Sequence, residues 1–274
     1  MATAIEPAFD FEGATFDLNS QEDREIVRFI LSQALFGEAT GVYCGKSLYQ
    51  ARSLEAARFY VRQARQELNH LELFGEIFRL LEMQPTRGHW VIRLMSSHNN
   101  YYPLKVLMEH AVGEGLVLDI FKDVLMQTLP DDHPGVADVK KKLRSICLEE
   151  IEHVEWGEKE TRWSLETRPW LRWPFYGLVE LQLLLAPVIL IPFRKQAKSH
   201  PVLKHMDAFV AHVNQRVWEQ GRSMGFVPDT RPGLFKRLFA MSAGALLFVR
   251  SQFARAESSL DKSYITELGF SRPG

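Results

Sequence analysis

Two Glu-x-x-His words, Glu67-Leu68-Asn69-His70 and Glu150-Ile151-Glu152-His153, each lie inside a long segment with helical periodicity. On a helix, residues three apart share a face, so each word aims one carboxylate and one imidazole at the same point in space. Two such points facing each other can hold two metal ions, and a four-helix bundle that does so takes one further carboxylate from each remaining helix. Glu38 and Glu114 stand where those carboxylates are needed. A single Glu-x-x-His in a charged helix is commonly just a solvated face. A pair of them, with a Glu on each intervening helix and Phe36, Phe74, Leu118 and Phe121 nearby, is far more specific. A buried carboxylate cluster without cations would also be very costly.

The chain reads as all-α, with weak strand signals throughout. Residues 1–19 form an irregular arm, and Ser20 with Asp23 resembles a helix N-cap signal. A first helix then extends to about Gln50, and Ser53 caps a second that ends near Met83. Pro85, Gly88 and the polar run 96–100 mark a connection, Pro103 suits the first turn of a third helix reaching Thr128, and a fourth runs from about Gly135 to Arg168, before Pro169. Short turns make helices 1 and 2, and helices 3 and 4, antiparallel neighbours, while the longer link between 2 and 3 is a crossover running back along the bundle. Three parts are therefore expected: the arm 1–19, a four-helix di-metal bundle 20–168 and a C-terminal helical extension 169–274.

Depth along the bundle selects the ligands. Glu38 lies 15 residues before Ser53 and Glu67 14 after it; Glu114 lies 14 before Thr128 and Glu150 15 after Gly135. At ~1.5 Å per residue both pairs match in height, whereas Glu109, 19 residues before Thr128, would sit ~7 Å too far along the axis.

With these residues in place, the chain resembles the ferritin-like di-iron carboxylate superfamily over residues 20–165, a bundle with one long crossover. The tract 147–158, CLEEIEHVEWGE, looks particularly like the last ligand helix of the aldehyde-deformylating oxygenases. The resemblance implies that Glu38, Glu67, His70, Glu114, Glu150 and His153 ligate two irons and form the catalytic centre, with Glu67 and Glu150 bridging, and with manganese or a mixed pair as the other metal choices. It also implies dioxygen as co-substrate and an oxygenase or oxidase reaction on an organic substrate. The Leu-, Phe- and Met-rich composition tilts that substrate toward a hydrophobic, acyl or lipid-like molecule. Ferritins and rubrerythrins share such ligands, so an iron-oxidising or iron-storing protein without an organic substrate is the alternative. Storage proteins of this type are usually little more than the bundle, and here about a hundred residues follow it. No flavin, nicotinamide or iron–sulfur motif is visible, which leaves reduction to an external donor such as a ferredoxin and its reductase.

Charge and cysteine content bound the setting. The net charge of −1 gives no reason to expect a nucleic-acid partner. Residues 1–160 carry 17 Lys+Arg against 26 Asp+Glu, and the remaining 16 against 8 make the back half basic. Two cysteines, Cys44 and Cys147, are too few for a disulfide framework, and the N-terminus shows no secretory pattern. A cytoplasmic protein is expected, monomeric or a small homo-oligomer, with peripheral contact to the inner face of the membrane an option. Residues 175–193 are nearly long enough to span a bilayer, but Glu180, Gln182, Pro187 and Pro192 argue for a helix packed on the bundle, with a membrane-surface or partner contact, or a membrane span, as the alternatives. The segments 234–239 and 246–250 combine bulky apolar residues with cations, which suits either a core helix or an anionic lipid surface.

Other residues invite roles. Gly113 and Gly115 flank Glu114 and suggest either a helix bulge beside the metals or close helix packing. Tyr43 and Tyr60 are redox or hydrogen-bonding candidates, though core packing is commoner. Asp119 is a candidate acceptor for a ligand histidine, although a surface salt bridge is the commoner fate; His110 is a candidate to replace or support a ligand, and Cys147 a candidate cavity wall or simply a small core hydrophobe. Trp156, Trp163 and Trp170 recur every seven residues as a seam on which the back half would dock. His205 and His212 share a face, but no acidic set accompanies them.

Overall fold

The computed structural model describes residues 5–42, 47–90, 101–189, 191 and 199–253, and among these it is all-α, with no strand. The longer helices are α1 (Gln21–Gly41), α2 (Leu54–Leu80), α3 (102–128), α4 (Val136–Thr167), α5 (Arg172–Ile189), α6 (Met206–Ser223) and α7 (Leu234–Gln252). Tyr43, Cys44 and the polar run 96–100 lie outside the described residues.

Ser53 caps α2 as its sequence position predicts, its hydroxyl accepting the Ala56 N–H at 3.0 Å. Ser20 makes no such bond. Its neighbour Asp23 works instead as a tether, accepting the Asp17 N–H at 2.7 Å and facing His200 Nε2 at 3.0 Å. α1 is described over Gln21–Gly41 and a helical turn over Ser47–Gln50, with residues 43–46 between them outside the described residues, and α2 ends at Leu80 rather than Met83. A Cβ at position 41 would lie 2.5 Å from the Glu67 carboxylate, so glycine there leaves room for that side chain.

α3 begins at Tyr102, with Pro103 in its first turn, and departs from α geometry twice. Val106–Glu114 and Ile120–Leu125 are π-helical, with Gly115–Asp119 α-helical between them. The bulge expected from Gly113 is present. A Cβ there would lie 2.7 Å from the Met108 carbonyl oxygen, a contact only glycine avoids.

Helix α1 packs on α2, α2 on α4, and α3 along α4, where Gly157 permits close approach: a Cβ at 157 would lie 2.6 Å from the Ala111 nitrogen. One hydrophobic core runs through these helices and beyond them. It takes Phe11 and Phe16 from the N-terminal arm, Leu31, Phe74, Phe121 and Leu143 from α1–α4, and Phe175 and Val217 from α5 and α6. Polar ties reinforce the α6 contact: Arg216 Nε donates to Asp119 at 2.6 Å, and Gln220 Nε2 donates to the Ala111 carbonyl at 2.8 Å and to Glu158 at 3.0 Å. The tryptophan seam turns the other way. Trp156 stacks on Phe59 of α2 at 4.5 Å, Arg52 lies over Trp163, and Trp170 is exposed, so this stripe covers the α2 side and not the C-terminal helices.

α5 is packed chiefly against α7. No helix among the described residues is long and apolar enough to cross a membrane. Glu180, buried in the middle of α5, accepts hydrogen bonds from Arg237 (2.8 Å), Arg231 (3.0 Å) and the Tyr176 hydroxyl (2.6 Å). Burial alone would raise its pKa, but the two guanidiniums prevail and hold it at about 2, below the ordinary 4.5. A depressed carboxylate stabilises the fold above its unfolded pKa and loses that contribution as pH falls through the folded value. Glu180 therefore supports the fold fully above about 4.5 and progressively less toward about 2. Glu180→Gln is expected to cost about 2 kcal/mol at neutral pH, with the difference from the parent shrinking on acidification. Denaturant unfolding at neutral and acid pH checks this, and a difference independent of pH would count against the ion-pair account.

Candidate metal centre

The six residues singled out by spacing converge. Glu38, Glu67, His70 and Glu150 bring one ligand atom each within 4.8 Å of one another, and Glu67, Glu114 and His153 do the same. Glu67 belongs to both groups. Glu150 also spans them, with Oε1 3.2 Å from His70 Nδ1 and Oε2 3.4 Å from His153 Nδ1. All but Glu114 are buried, and Glu114 is nearly so.

The imidazoles are oriented alike. His70 presents Nδ1 to Glu38 at 2.9 Å and to Glu67 at 3.9 Å, while its Nε2 lies 2.8 Å from Glu149. His153 presents Nδ1 to Glu67 and Glu114, each at 3.7 Å, while its Nε2 lies 3.0 Å from Gln66 Oε1. An acceptor on Nε2 holds one ring proton there and leaves Nδ1 facing inward, where a metal can take the place of any proton held between Nδ1 and the carboxylates. His153 Nδ1 and Glu150 Oε2 are buried without a hydrogen-bond partner. The 3.4 Å from His153 Nδ1 to Glu150 Oε2 is long for a hydrogen bond and lies within the roughly 3.0–3.5 Å between neighbouring ligands that each sit about 2.1 Å from one ion, while the 3.7 Å to Glu114 Oε2 is slightly longer. A buried Glu/His cluster of this kind can hold metal.

Electrostatics point the same way. Burial, together with the Glu150 charge, raises the pKa of Glu38; burial with Glu38 and Glu150 raises Glu67 well above the carboxylate range. Burial opposes charge on His70, but its hydrogen bonds to Glu150 and Glu38 prevail and push it up to about 11. For Glu150 burial is likewise outweighed, by His153 and His70, which hold it at about 2. The pocket is built around positive charge placed between carboxylates.

Supporting residues extend the picture. Gln63 Nε2 donates to Glu114 Oε1 at 2.9 Å and faces His110 Nδ1 at 3.1 Å, so the Gln63 and His110 side chains flank the Glu114 carboxylate. Burial, with Lys105 and His153 adding to it, drives the His110 pKa well down and keeps that ring neutral. His110 is thus a support for Glu114. Asp119 is not an acceptor for a histidine: it is committed to Arg216. Glu149 and Gln66 take that role, and spacing alone did not reveal them. Tyr60 does not reach the cluster either. Its hydroxyl donates to Tyr102 at 2.9 Å, Tyr102 donates to Glu160 at 2.8 Å, and Glu160 is paired with Arg52. Cys147 is buried in the core, where burial raises its thiol pKa to about 12.

Beside the cluster lies a cavity of about 130 Å³. Glu38, Glu67, Glu114 and Glu150 form one wall; Ala34, Met108, Leu116, Val117, Ile120 and Phe121 make the rest largely apolar. Glu109 also faces this space, 3.6 Å from the buried Lys105 ammonium. Burial outweighs that cation and raises Glu109 to about 7. Its carboxylate therefore lines the cavity and lies outside both ligand groups, as its depth along α3 predicts.

No family model matches the chain, and neither a curated protein nor a solved structure matches it.

Proposed function

We propose that the chain is a non-haem di-iron oxidoreductase that uses dioxygen to oxidise a small hydrophobic molecule, or the end of an acyl chain. The observation that carries this is the shared carboxylate: Glu67 joins two Glu/His groups into one dinuclear set, directly beside a mostly apolar cavity. Glu38 and His70 would hold one metal, Glu114 and His153 the other, with Glu67 and Glu150 between them. Bound iron would supply the reduction of dioxygen and the oxidising power delivered to the substrate.

The chain's own residues do the rest. Glu149 and Gln66 hold the histidine protons on Nε2 and so fix the rings. Gln63 keeps Glu114 turned toward His153. The apolar wall excludes water and positions a hydrocarbon group against the carboxylates. Glu109, with a pKa near 7, can give or accept a proton at the cavity surface. Reducing equivalents come from an external donor, because the sequence carries no nucleotide-binding or iron–sulfur motif of its own.

Single-turnover chemistry tests the proposal. Iron-loaded, chemically reduced protein is mixed with dioxygen and medium-chain aldehydes, alcohols or acids, and products are identified by mass spectrometry. An oxidised or shortened organic product is expected. Iron uptake far beyond two per chain into a large closed assembly, with no organic product, would favour iron oxidation and storage instead.

A further inference from the structure

Helix α7 is apolar on two opposite sides. Its inner side, with Ala240, Gly244 and Ser251 buried, packs so tightly on α5 that a Cβ at Gly244 would lie 2.8 Å from the Pro174 carbonyl oxygen. On the outer side Phe235, Leu238, Phe239, Leu246, Val249 and Phe253 are all exposed, Phe235 at 87% and Phe253 at 83%. At 100° per residue these six fall within an arc of about 100°, facing away from the buried stripe. A soluble helix normally turns a polar face outward, and a contiguous apolar face of this kind marks a surface that something covers.

We infer that the outer face of α7 seats on a bilayer of anionic phospholipid. Charge decides among the possible occupants. Exposed Lys236 stands near the start of the helix and exposed Arg250 near its end, both beyond the same edge of the apolar arc, while α7 contains no Asp or Glu. Such a face, phenylalanine and leucine bordered by cations, matches the boundary between acyl chains and anionic headgroups. A second copy of the chain laid against the same face would bring the cations of both helices together, with no carboxylate on either to pair them. At 19 residues α7 is about 28 Å long and does not have the apolar character needed to cross the membrane, so it lies in the plane of the interface.

Vesicle flotation of the full chain tests this, with phosphatidylcholine vesicles made with and without phosphatidylglycerol. The chain is expected to float with the anionic vesicles and to bind the neutral ones on the order of tenfold more weakly. Two double variants separate the contributions: Phe235→Ser with Phe239→Ser, and Lys236→Glu with Arg250→Glu. All four side chains are exposed, so unchanged circular dichroism and melting temperature are expected, while each pair lowers anionic-vesicle binding by on the order of tenfold or more. Raised salt should mimic only the charge pair. The inference is overturned if the parent binds neither vesicle, or if light scattering shows a dimer that the phenylalanine pair dissociates. Binding that appears only after residues 254–274 are removed would also overturn it, because the chain's own end would then be the occupant.

Discussion

Protein reconstituted with ferrous iron is expected to carry about two metals per chain, and Glu67→Ala to lose most of both. Glu67 is the side chain common to the two ligand groups, so its removal opens both, whereas His70→Ala and His153→Ala each dismantle one and should leave about one metal bound. Losing one of the few protein ligands to an ion is expected to weaken its binding by at least 10- to 100-fold, the range seen when even an outer partner is removed. Glu109→Ala serves as the internal control. It alters the cavity wall without touching either ligand group, so metal content should remain near that of the parent, while Glu114→Ala should behave like His153→Ala. Elemental analysis of the series after desalting is sufficient. Equal occupancy in the parent and Glu67→Ala would mean that metal binds elsewhere, and no transition metal in the parent would remove the basis for an oxidative function.

A comparable structural loss is expected from Gly177→Val. Position 177 on α5 faces the Ala240 carbonyl on α7 so closely that a Cβ would overlap it, and the atom it meets is backbone, which cannot rotate away. The two helices would have to separate along their whole contact, giving up the buried Ala240 and Gly244 interface and disturbing the hydrogen bonds of Arg237 to Glu180. A cost of about 3 kcal/mol or more is expected. Chemical denaturation measures it, and hydrogen exchange should show faster exchange at α7 amides. The six cluster residues lie on α1–α4, so iron binding is expected to persist in the variant. A midpoint indistinguishable from the parent would show that the α5–α7 contact is looser than described.

The parts of this structure that could be read in advance are those set by local geometry. Glu67 with His70, and Glu150 with His153, each share a face because a helix puts residues three apart together, whatever surrounds them. Ser53 acts as a cap for the same reason, since its partner Ala56 is three residues away. Gln63 was also legible in principle: it stands four residues before Glu67 on the same face, and an amide there can reach the carboxylates. Glu149 and Gln66 were not. Each serves a histidine on another helix, 79 and 87 residues distant, so only the tertiary packing brings them together. Asp119 failed as an acceptor for the converse reason, because Arg216, 97 residues later, claims it. Gly41 likewise takes its meaning from the tertiary packing, since only a residue without a side chain leaves room there for the Glu67 carboxylate across the cluster.

The two π-helical stretches of α3 change how the site depends on the length of the chain. A π turn closes each hydrogen bond one residue further along than an α turn does, so each stretch holds chain that a regular helix of the same span would not accommodate. Deleting any single residue between 106 and 113 would relax the first stretch toward α geometry while leaving all six ligand side chains encoded. Glu114 would keep its place facing His153, because the residue removed is the one that the π turn holds in excess. In α4, which is regular α-helix throughout, a one-residue deletion before Glu150 would instead turn Glu150 and His153 by about 100° relative to the start of the helix. The π stretch is in effect slack in the chain, kept at the point where α3 sets the Glu114 carboxylate beside His153.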